Sequence, residues 1–313
     1  MLDISLLGTG GMLPLHNRYL SAMLARVGGR MLLFDCGEGT QVTMRRLGWG
    51  FAGLSAILIT HLHADHIAGL PGLLLSLSNY ERTEPLTIAG PAGLAHAVNC
   101  LRVIAPELNY PIEYLELDFP DENPIDFTIG DFFLSALPLG HGLPCIGYSL
   151  LFPRAGKFDP QRAKALGIPQ AFWSRLQKGE TITAPLSKGS GAQSRGEFTP
   201  DMVLGPPRKG LKVSFITDTR PLAAIPAFIR GCDLFICEGT YGDEAKKEKA
   251  EKYGHMLFSD AAKLARAGEV KELWLTHYSQ AMPDPQAYLS NATEIFANTH
   301  AGHDRMCKTL RFS

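Results

Sequence analysis

The sequence lacks the features typical of membrane-spanning, disulfide-stabilised and disordered proteins. Its 313 residues contain no apolar run near the roughly 18 residues that a membrane span requires. The six cysteines include no C-x-x-C pair, and a chain of this length does not need a disulfide framework. With 45% hydrophobic and 19% charged residues, the chain has enough apolar material for a sizeable core. We therefore predict a soluble, folded protein.

Two further absences narrow the function. The run Gly8-Thr9-Gly10-Gly11 lacks the lysine and the following hydroxyl residue of a phosphate-binding P-loop. The segment Met1–Gly8 lacks a basic lead, so we interpret it as a first strand rather than as a signal peptide. Together with cysteines that we expect to be reduced and buried, this predicts a cytoplasmic protein.

A dense group of metal-binding side chains is present immediately after an apolar run. His61, His63, Asp65 and His66 lie within six positions, directly beyond Ala56–Thr60, which we interpret as a buried strand. Imidazole and carboxylate groups suit zinc, and a catalytic zinc keeps one position open for water. Side chains alternate along an extended chain, so His61 and His63 should point the same way. Asp65 and His66 should follow in a turn and face a second metal ion.

Three later residues also follow apolar runs and complete a set for two metal ions. His141 comes after Phe132–Ala136, Asp218 after Val213–Ile216, and His277 after Leu273–Leu275. Each alone would be an ordinary turn or strand-end residue. Together with the first motif they give seven ligands, including an aspartate that could bridge two ions. Such a pair of ions can hold a hydroxide nucleophile and neutralise charge on a phosphoryl oxygen.

The spacing of strand-like and helical patterns predicts the architecture. Early strands are separated by short turns and later strands by helices, which favours a mixed sheet layered with helices. The predicted strands are Ile4–Leu7, Met31–Phe34, Ile57–Ile59, Leu86–Ala89, Phe132–Ala136, Val213–Ile216, Leu234–Cys237 and Leu273–Leu275. The predicted helices are Gly69–Ser78, Ala92–Ile104 and Ser259–Ala267.

The stretch from Pro153 to Pro207 interrupts this rhythm, and its charge differs from that of the rest. Between Arg154 and Lys212, eleven cations stand against four acids, a net charge of +7 in a chain whose sum is −1. A local basic excess of this size favours a polyanionic partner, although a solvated surface arm would also explain it. We interpret residues 153–207 as an arm inserted into one domain, with a flexible run at 187–194 and short helices at 161–166 and 170–177.

The motifs resemble those of the ribonuclease Z family, the tRNA 3′-processing endonucleases of the metallo-β-lactamase superfamily. The resemblance spans nearly the whole chain. It is carried by Leu7–Gly10, Phe34–Thr40, Thr60–Leu73, Gly147-Tyr148, Gly156–Asp159, Val203–Pro207, Asp218–Arg220, Gly254-His255 and Leu275–His277.

The resemblance implies a four-layer αββα sandwich and a role for each site residue. One hydrolase domain would span residues 1–313, with residues 153–207 as the inserted tRNA-binding arm. Two Zn²⁺ ions per subunit, or Mn²⁺ or another divalent ion, would be held by His61, His63 and His141, by Asp65, His66 and His277, and by the bridging Asp218. Asp65 would also orient or deprotonate the attacking water, and His255 would protonate the leaving oxygen. Asp35 and Glu38 would orient ligands or shape the turn beside them.

The same resemblance implies the substrate and the partners. The enzyme would cut precursor tRNA just 3′ of the discriminator base, remove the trailer and leave a 3′-hydroxyl. It would act as a homodimer without a membrane. The arm residues predicted to bind the substrate are Lys157, Arg162, Lys164, Arg175 and Lys178.

Two alternatives remain open at this point. The first is a hydrolase that uses the same zinc pair on another phosphodiester or a small ester, such as a cyclic nucleotide or an aryl phosphate or sulfate. A small-substrate enzyme has no need for a +7 arm, which favours the RNA substrate. The second is a tRNA-binding or structural protein with a vestigial zinc site, which the complete ligand set disfavours.

Overall fold

A computed structural model of the protein describes residues 1–185 and 195–312. The glycine- and serine-rich run at 187–194, for which the sequence predicts flexibility, lies outside the described residues. Within the described part of the chain, no helix combines the length and the apolar character needed to span a membrane.

The strands of the described residues fall into two large sheets and one hairpin. They are β1 (Leu2–Gly8), β2 (Ala22–Val27), β3 (Arg30–Phe34), β4 (Leu54–Leu58), β5 (Leu86–Pro91), β6 (Ile112–Leu117), β7 (Ile125–Ile129), β8 (Phe132–Leu139), β9 (Cys145–Arg154), β10 (Ile182–Pro185), β11 (Arg195–Phe198), β12 (Arg208–Ile216), β13 (Leu234–Glu238), β14 (Leu273–Thr276), β15 (Thr299–Ala301) and β16 (Cys307–Leu310).

The helices connect these strands and are mostly short. They are α1 (Thr40–Leu47), α2 (Ala64–Ile67), α3 (Leu70–Asn79), α4 (Leu94–Leu101), α5 (Pro160–Ala165), α6 (Trp173–Gln177), α7 (Ile225–Phe228), α8 (Lys247–Tyr253), α9 (Phe258–Ala267) and α10 (Ser290–Thr293). Short 3-10 turns occur at Arg102–Ile104, Gln170–Phe172, Pro200–Met202, Glu244–Lys246 and Pro285–Tyr288.

The first sheet has the order β16-β1-β2-β3-β4-β5-β6 and is mixed. Pairing is antiparallel from β16 to β3 and parallel from β3 to β6. Apolar side chains of α1, α3 and α4, such as Met44, Leu73 and Val98, share one buried cluster with Leu33 and Ile57 of the sheet. This cluster covers one face of the first sheet with helices.

The second sheet has the order β15-β14-β13-β12-β9-β8-β7 and is also mixed. Strands β12 to β15 pair in parallel, whereas β7, β8 and β9 pair antiparallel. Helices α7 and α9 bury Ile225, Phe258 and Leu264 in a cluster with Phe235 and Leu275 of the sheet.

The two large sheets pack against each other through their inner faces. The ring of Phe34 on β3 lies 6.0 Å from that of Tyr148 on β9 and 5.9 Å from that of Phe215 on β12, measured between centroids. The Tyr148 hydroxyl donates a hydrogen bond of 2.8 Å to the carbonyl of Ile59. Helices therefore cover the outer face of each sheet, and the predicted four-layer αββα fold is confirmed.

Phe152–Leu211, together with Phe312, form a second compact unit. It contains α5, α6 and the antiparallel β10–β11 hairpin. The Asp159 side chain caps α5 by accepting hydrogen bonds from two backbone amides. Its small core was not predicted from the sequence, because the apolar residues are spread over several short elements; they are Ala163, Ile168, Leu176, Ile182, Ala184, Phe198 and Val203.

Candidate metal centre

The first group of predicted ligands lies where the first sheet ends and α2 begins. His61 is fully buried just beyond β4, and its Nε2 atom lies 2.9 Å from Nδ1 of His63. Asp65 and His66 lie in the first turn of α2 rather than in a turn before it. The extended segment and the helical turn together bring all four side chains to one place.

The second group comes from the second sheet. His141 follows β8, Asp218 follows β12 by two residues, and His277 follows β14 directly. Nε2 of His277 lies 3.0 Å from Oδ1 of Asp218 and 3.3 Å from Oδ2 of Asp65. Nε2 of His141 lies 3.3 Å from Nδ1 of His63. The structure thus brings all seven predicted ligands into one cluster.

The ligand atoms divide into groups compact enough to hold a cation. The atoms of His61, His63, His141 and Asp218 all lie within 4.8 Å of one another, and so do those of Asp65, His66 and His277. A third group of the same compactness joins Asp218, His255 and His277. The first two groups match the division that the family resemblance implies, and Asp218 lies between them.

Several nitrogen and oxygen atoms of the cluster approach one another in a way that hydrogen bonds explain poorly and a bound cation explains well. Nε2 of His66 faces Nε2 of His277 at 3.3 Å, so two like atoms meet. The buried Oδ1 atom of Asp218 lies 3.0 Å from Nε2 of His277 and 3.4 Å from Nε2 of His66. Burying a carboxylate is costly unless positive charge compensates it. Imidazole nitrogens and carboxylate oxygens of this kind are the donor set that zinc prefers, so these residues fit a divalent metal site.

The ring nitrogens that point away from the cluster are held by polar groups of the fold. Nδ1 of His66 donates to Oδ2 of Asp35 at 2.7 Å, and Asp35 also accepts from the amide and the hydroxyl of Thr60. Nδ1 of His61 lies 3.1 Å from the Thr60 hydroxyl. Such partners fix the orientation of a metal-binding histidine. The predicted positioning role of Asp35 has this geometry, whereas Glu38 is exposed.

Charge in the cluster shifts the pKa values in opposite directions. Burial and the neighbouring His66 lower the pKa of His61 to about 2. Burial also disfavours the charged form of His277, but Asp218 and Asp65 outweigh it and raise the pKa of His277 to about 10. The pKa of Asp65 lies well below its usual range because burial is outweighed by the contacts with His277 and His66. The carboxylates therefore stay ionised and attract positive charge.

A backbone contact also orients Asp65. Its Oδ2 atom accepts a hydrogen bond of 2.7 Å from the amide of Met12. Met12 has a φ of 69°, which is uncommon for a residue other than glycine and marks a backbone held in place by its surroundings. Gly11 packs so closely on the His277 ring that a Cβ atom there would lie 2.6 Å from it.

Glu238, at the end of β13, is a candidate functional residue that could have been identified from the sequence but was not. It is fully buried, and its Oε1 atom lies 3.3 Å from Nδ1 of His255 and accepts from the amide of Thr219 at 2.6 Å. Its Oε2 atom accepts from the Thr240 hydroxyl and from the amide of Met256. The signal was present, since an acid closes the apolar run Leu234–Cys237 as Asp218 follows Val213–Ile216.

Glu238 controls the pKa of His255, which lies beside the ligand cluster. The His255 ring is 5.2 Å from that of His141 and 5.7 Å from that of His277. Burial tends to lower the pKa of His255, but the charge of Glu238 and its hydrogen bond outweigh this and raise it. A raised pKa favours the protonated ring, and a half-buried histidine beside the cluster is placed to donate a proton.

The predicted arm residues lie in the second compact unit, and all five are exposed. Arg175 forms an ion pair of 2.7 Å with Glu180. Among the described residues, the other four have no carboxylate within ion-pair distance. They are Lys157, Arg162, Lys164 and Lys178.

Comparisons with known proteins place the chain in a family. Residues 2–116 match the family model of the anti-Pycsar protein Apyc1, a match that covers only the first group of ligands. Over the whole chain, the protein is 49% identical to ribonuclease Z of Clostridium acetobutylicum and 50% identical to ribonuclease Z of Clostridium kluyveri, and each alignment covers 99% of the relative. The chain belongs to the ribonuclease Z family.

Solved structures agree with this placement. Human tRNase Z, short form, is 25% identical, with a TM-score of 0.70 over 99% of this chain and 100% of that one. The metallo-β-lactamase fold protein YhfI of Bacillus subtilis shares the fold, with a TM-score of 0.66 at 18% identity over 98% of each chain. The chain thus resembles this family in its three-dimensional structure as well as in its sequence.

Proposed function

We propose that the protein is a metal-dependent endoribonuclease that removes the 3′ trailer from precursor tRNA at the discriminator base and leaves a 3′-hydroxyl. One observation carries this proposal. In this member of the ribonuclease Z family, seven metal-binding side chains meet in one cluster, with an ionised Asp65 among them and His255, whose pKa is raised, beside them.

Two Zn²⁺ ions per subunit form part of the proposal, although Mn²⁺ or another divalent ion could take their place. His61, His63 and His141 would hold one ion, Asp65, His66 and His277 the other, and Asp218 both. The donor set is rich in imidazole, which favours zinc over magnesium or calcium. When bound, the ions would supply charge neutralisation at the phosphoryl oxygens and acidify a coordinated water.

The residues of the chain would perform the proton transfers. Asp65 is ionised, and the Met12 amide fixes its carboxylate, so it can accept a hydrogen bond from the attacking water and orient it. His255 would donate its proton to the departing ribose oxygen, and Glu238 would stabilise the protonated ring before the transfer.

We further propose that residues 153–207 form an arm that binds tRNA through its backbone charge. Lys157, Arg162, Lys164 and Lys178 are exposed cations without ion-pair partners among the described residues. Contacts of this kind give affinity that falls with salt and depends little on sequence. A homodimer and a cytoplasmic location complete the proposal. The six cysteines form no disulfide among the described residues, which supports a reducing compartment; Cys100 and Cys307 are exposed rather than buried as expected.

The test is cleavage of a 3′-extended precursor tRNA by the zinc-loaded protein, with mapping of the cut. We expect a single cut beside the discriminator base and a 3′-hydroxyl on the tRNA. The Asp65→Ala variant, prepared in parallel, should be inactive and excludes a contaminating nuclease. If precursor tRNA stays intact while bis(p-nitrophenyl) phosphate is still hydrolysed, the substrate is a different phosphodiester.

A further inference from the structure

We propose that the cavity between the Thr240–Lys249 segment and Ser279–Met282 binds one nucleotide of the RNA on the 5′ side of the cut. Its lining includes Tyr241, Lys246, Lys249, Met282 and Tyr288. The direction of the RNA chain in this assignment rests on the proposed function. The cavity would then bind a nucleotide next to the bond that is cut.

The cavity adjoins His255, the proposed proton donor. The ring of Tyr241, which forms part of the cavity wall, lies 6.2 Å from the ring of His255. The hydroxyl oxygen of Thr240, also in the wall, lies 3.1 Å from the carbonyl oxygen of His277, while its proton is donated to Oε2 of Glu238. A group bound in the cavity would therefore lie one side-chain layer from the reacting phosphate.

The chemistry of the lining fits a nucleotide. Lys246 and Lys249 are exposed, and among the described residues neither ammonium group has a carboxylate within ion-pair distance. Asp243 is the acid of the lining, and its Oδ1 atom already accepts a hydrogen bond from the amide of Ala245. The two cations therefore leave a positive balance that can attract a phosphate.

Much of the remaining wall is aromatic or apolar and closely packed. Tyr241 and Met282 are buried, and a Cβ atom on Gly242 would lie only 2.5 Å from Cβ of Tyr288, so glycine permits this close packing. Nucleobases stack on aromatic side chains irrespective of sequence. Proteins that bind single-stranded RNA combine cations that contact phosphates with aromatic side chains that contact bases.

The size of the cavity favours part of a chain over a complete small ligand. Its volume is 70 Å³. Pockets that enclose a drug-sized molecule measure roughly 300–1,000 Å³. Since a water molecule occupies about 30 Å³ in the liquid, the cavity holds only part of a planar group, and the rest of the nucleotide would lie at its mouth beside the lysines.

The neighbouring His255 sets which side of the cut the nucleotide occupies. In the proposed reaction the departing oxygen belongs to the ribose of the discriminator nucleotide, which stays with the tRNA. Because His255 donates its proton to that oxygen, the cavity next to His255 faces the tRNA side. The lysines would then contact the phosphate 5′ of the discriminator nucleotide.

The double variant Lys246→Ala/Lys249→Ala tests the contact. We expect KM for precursor tRNA to rise about 10-fold, since charge-assisted contacts to phosphate are lost. Both kcat and the hydrolysis of bis(p-nitrophenyl) phosphate should change less than twofold. Lys246→Arg/Lys249→Arg should retain most of the affinity. The matched control, Lys247→Ala/Lys252→Ala, removes the same charge from α8 at positions outside the cavity lining and should behave as the wild type.

A modified substrate locates the contact on the RNA. A precursor with an uncharged methylphosphonate in place of the phosphate 5′ of the discriminator should weaken the wild type about as much as the double substitution does. The Lys246→Ala/Lys249→Ala variant should lose little more on this substrate. Additive losses in the two would overturn the proposed contact.

A binding measurement separates this proposal from that of the overall function. A labelled tRNA ending in the discriminator 3′-hydroxyl should bind Lys246→Ala/Lys249→Ala about 10-fold more weakly than Lys247→Ala/Lys252→Ala. If this difference appears but the wild type does not cut precursor tRNA, the cavity binds RNA and the proposed reaction is wrong. Equal affinity of the two double variants would overturn the cavity proposal, even if cleavage is normal.

Discussion

Charged side chains have opposite environments in the ligand cluster and in the basic arm. In the cluster, ionisable side chains are buried, and the imidazole and carboxylate atoms contact one another at about 3 Å. In the second compact unit, the cations named as RNA ligands are exposed and mostly unpaired among the described residues. The proposed chemistry of the first region would depend on fixed geometry, whereas the proposed RNA binding of the second would depend on the sum of solvated charges.

This difference predicts different responses to mutation. A buried group cannot be removed without leaving its partners uncompensated, which is strongly unfavourable in a region from which water is excluded. Solvated cations contribute through counterion release and are close to additive. Loss of one cluster residue should therefore abolish the chemistry, and loss of one arm cation should weaken the binding of RNA only slightly.

The largest effect is expected for Asp218→Ala, which removes the residue between the two ligand groups. Activity on precursor tRNA and on bis(p-nitrophenyl) phosphate should both fall more than about 1,000-fold, because metal-dependent stabilisation of the phosphoryl charge is lost. Zinc content per chain, measured by elemental analysis, should fall as well.

Asp121→Ala, at an exposed position, is the control for Asp218→Ala and should leave both activities unchanged. Full zinc content and unaltered turnover in the Asp218→Ala variant would exclude Asp218 as a shared ligand. The chemistry of the ligand cluster would then not depend on the fixed position of Asp218.

The next effect should come from the arm. A variant with alanine at four cationic positions should raise KM for precursor tRNA about 10- to 100-fold and leave hydrolysis of bis(p-nitrophenyl) phosphate intact. Its affinity should also depend less on salt, with the log–log slope reduced by about 3 if all four residues contact phosphates. The substitutions are Arg162→Ala, Lys164→Ala, Arg175→Ala and Lys178→Ala.

Four cations outside the arm provide a matched control for this variant, since they change the net charge equally; they are Arg45, Arg46, Lys247 and Lys252. Their replacement by alanine should raise KM much less than the arm substitutions. Equal losses in both quadruple variants would mean that overall charge, rather than the arm, attracts the RNA.

The sequence was most informative where several ligands stand together. The positions of β1, β3, β4, β5 and β8 and the motif from His61 to His66 could be predicted, because apolar runs and metal-binding residues are adjacent in the chain. His141, Asp218 and His277 each resemble an ordinary strand-end residue. Recognising them depended on their number and on the family resemblance, since the proximity of strand ends is a property of the folded sheets.

Other features could not be predicted because they depend on contacts between distant segments. Glu238 acts on His255 across 17 positions in the chain, and the Met12 amide reaches Asp65 across 53. The core of the second compact unit joins short elements that lack a sustained period. The acid that closes the run Leu234–Cys237 was a local signal for Glu238, but no local pattern shows which residue it contacts. For the same reason, Asp35 could be predicted only as a neighbour of the first motif.

A moderate effect is expected for Asp35→Asn, which tests whether the outer contacts of the cluster matter. Asp35 holds Nδ1 of His66 and both the amide and the hydroxyl of Thr60. Loss of its charge should weaken zinc affinity roughly 10- to 100-fold, as for other residues that orient a metal ligand. Competition with a chelator measures this affinity, and excess zinc should restore most of the turnover.

Glu38→Gln is the paired control for Asp35→Asn, because Glu38 lies in the same turn but is exposed. We expect its zinc affinity to match the wild type. If Asp35→Asn also matches the wild type, orientation of His66 does not depend on the carboxylate.

The smallest and most specific effect should come from Glu238→Gln. Glu238 raises the pKa of His255, so removing its charge lowers that pKa and the ring loses its proton at a lower pH. A general acid is active only while protonated, so the alkaline limb of the kcat/KM profile should move to lower pH, and the acid limb should stay in place. Turnover near neutral pH should fall about 10-fold, which is within the usual contribution of a general acid.

The same substitution disturbs buried hydrogen bonds, so stability must be measured beside the pH profile. Gln at 238 would place an amide donor against the Thr240 hydroxyl or the amides of Thr219 and Met256, and the free energy of unfolding should fall by about 1–3 kcal/mol. Glu248→Gln, on the exposed surface of α8, serves as the control. A destabilised variant with an unmoved alkaline limb would limit Glu238 to a structural role, because only control of the His255 proton shifts that limb.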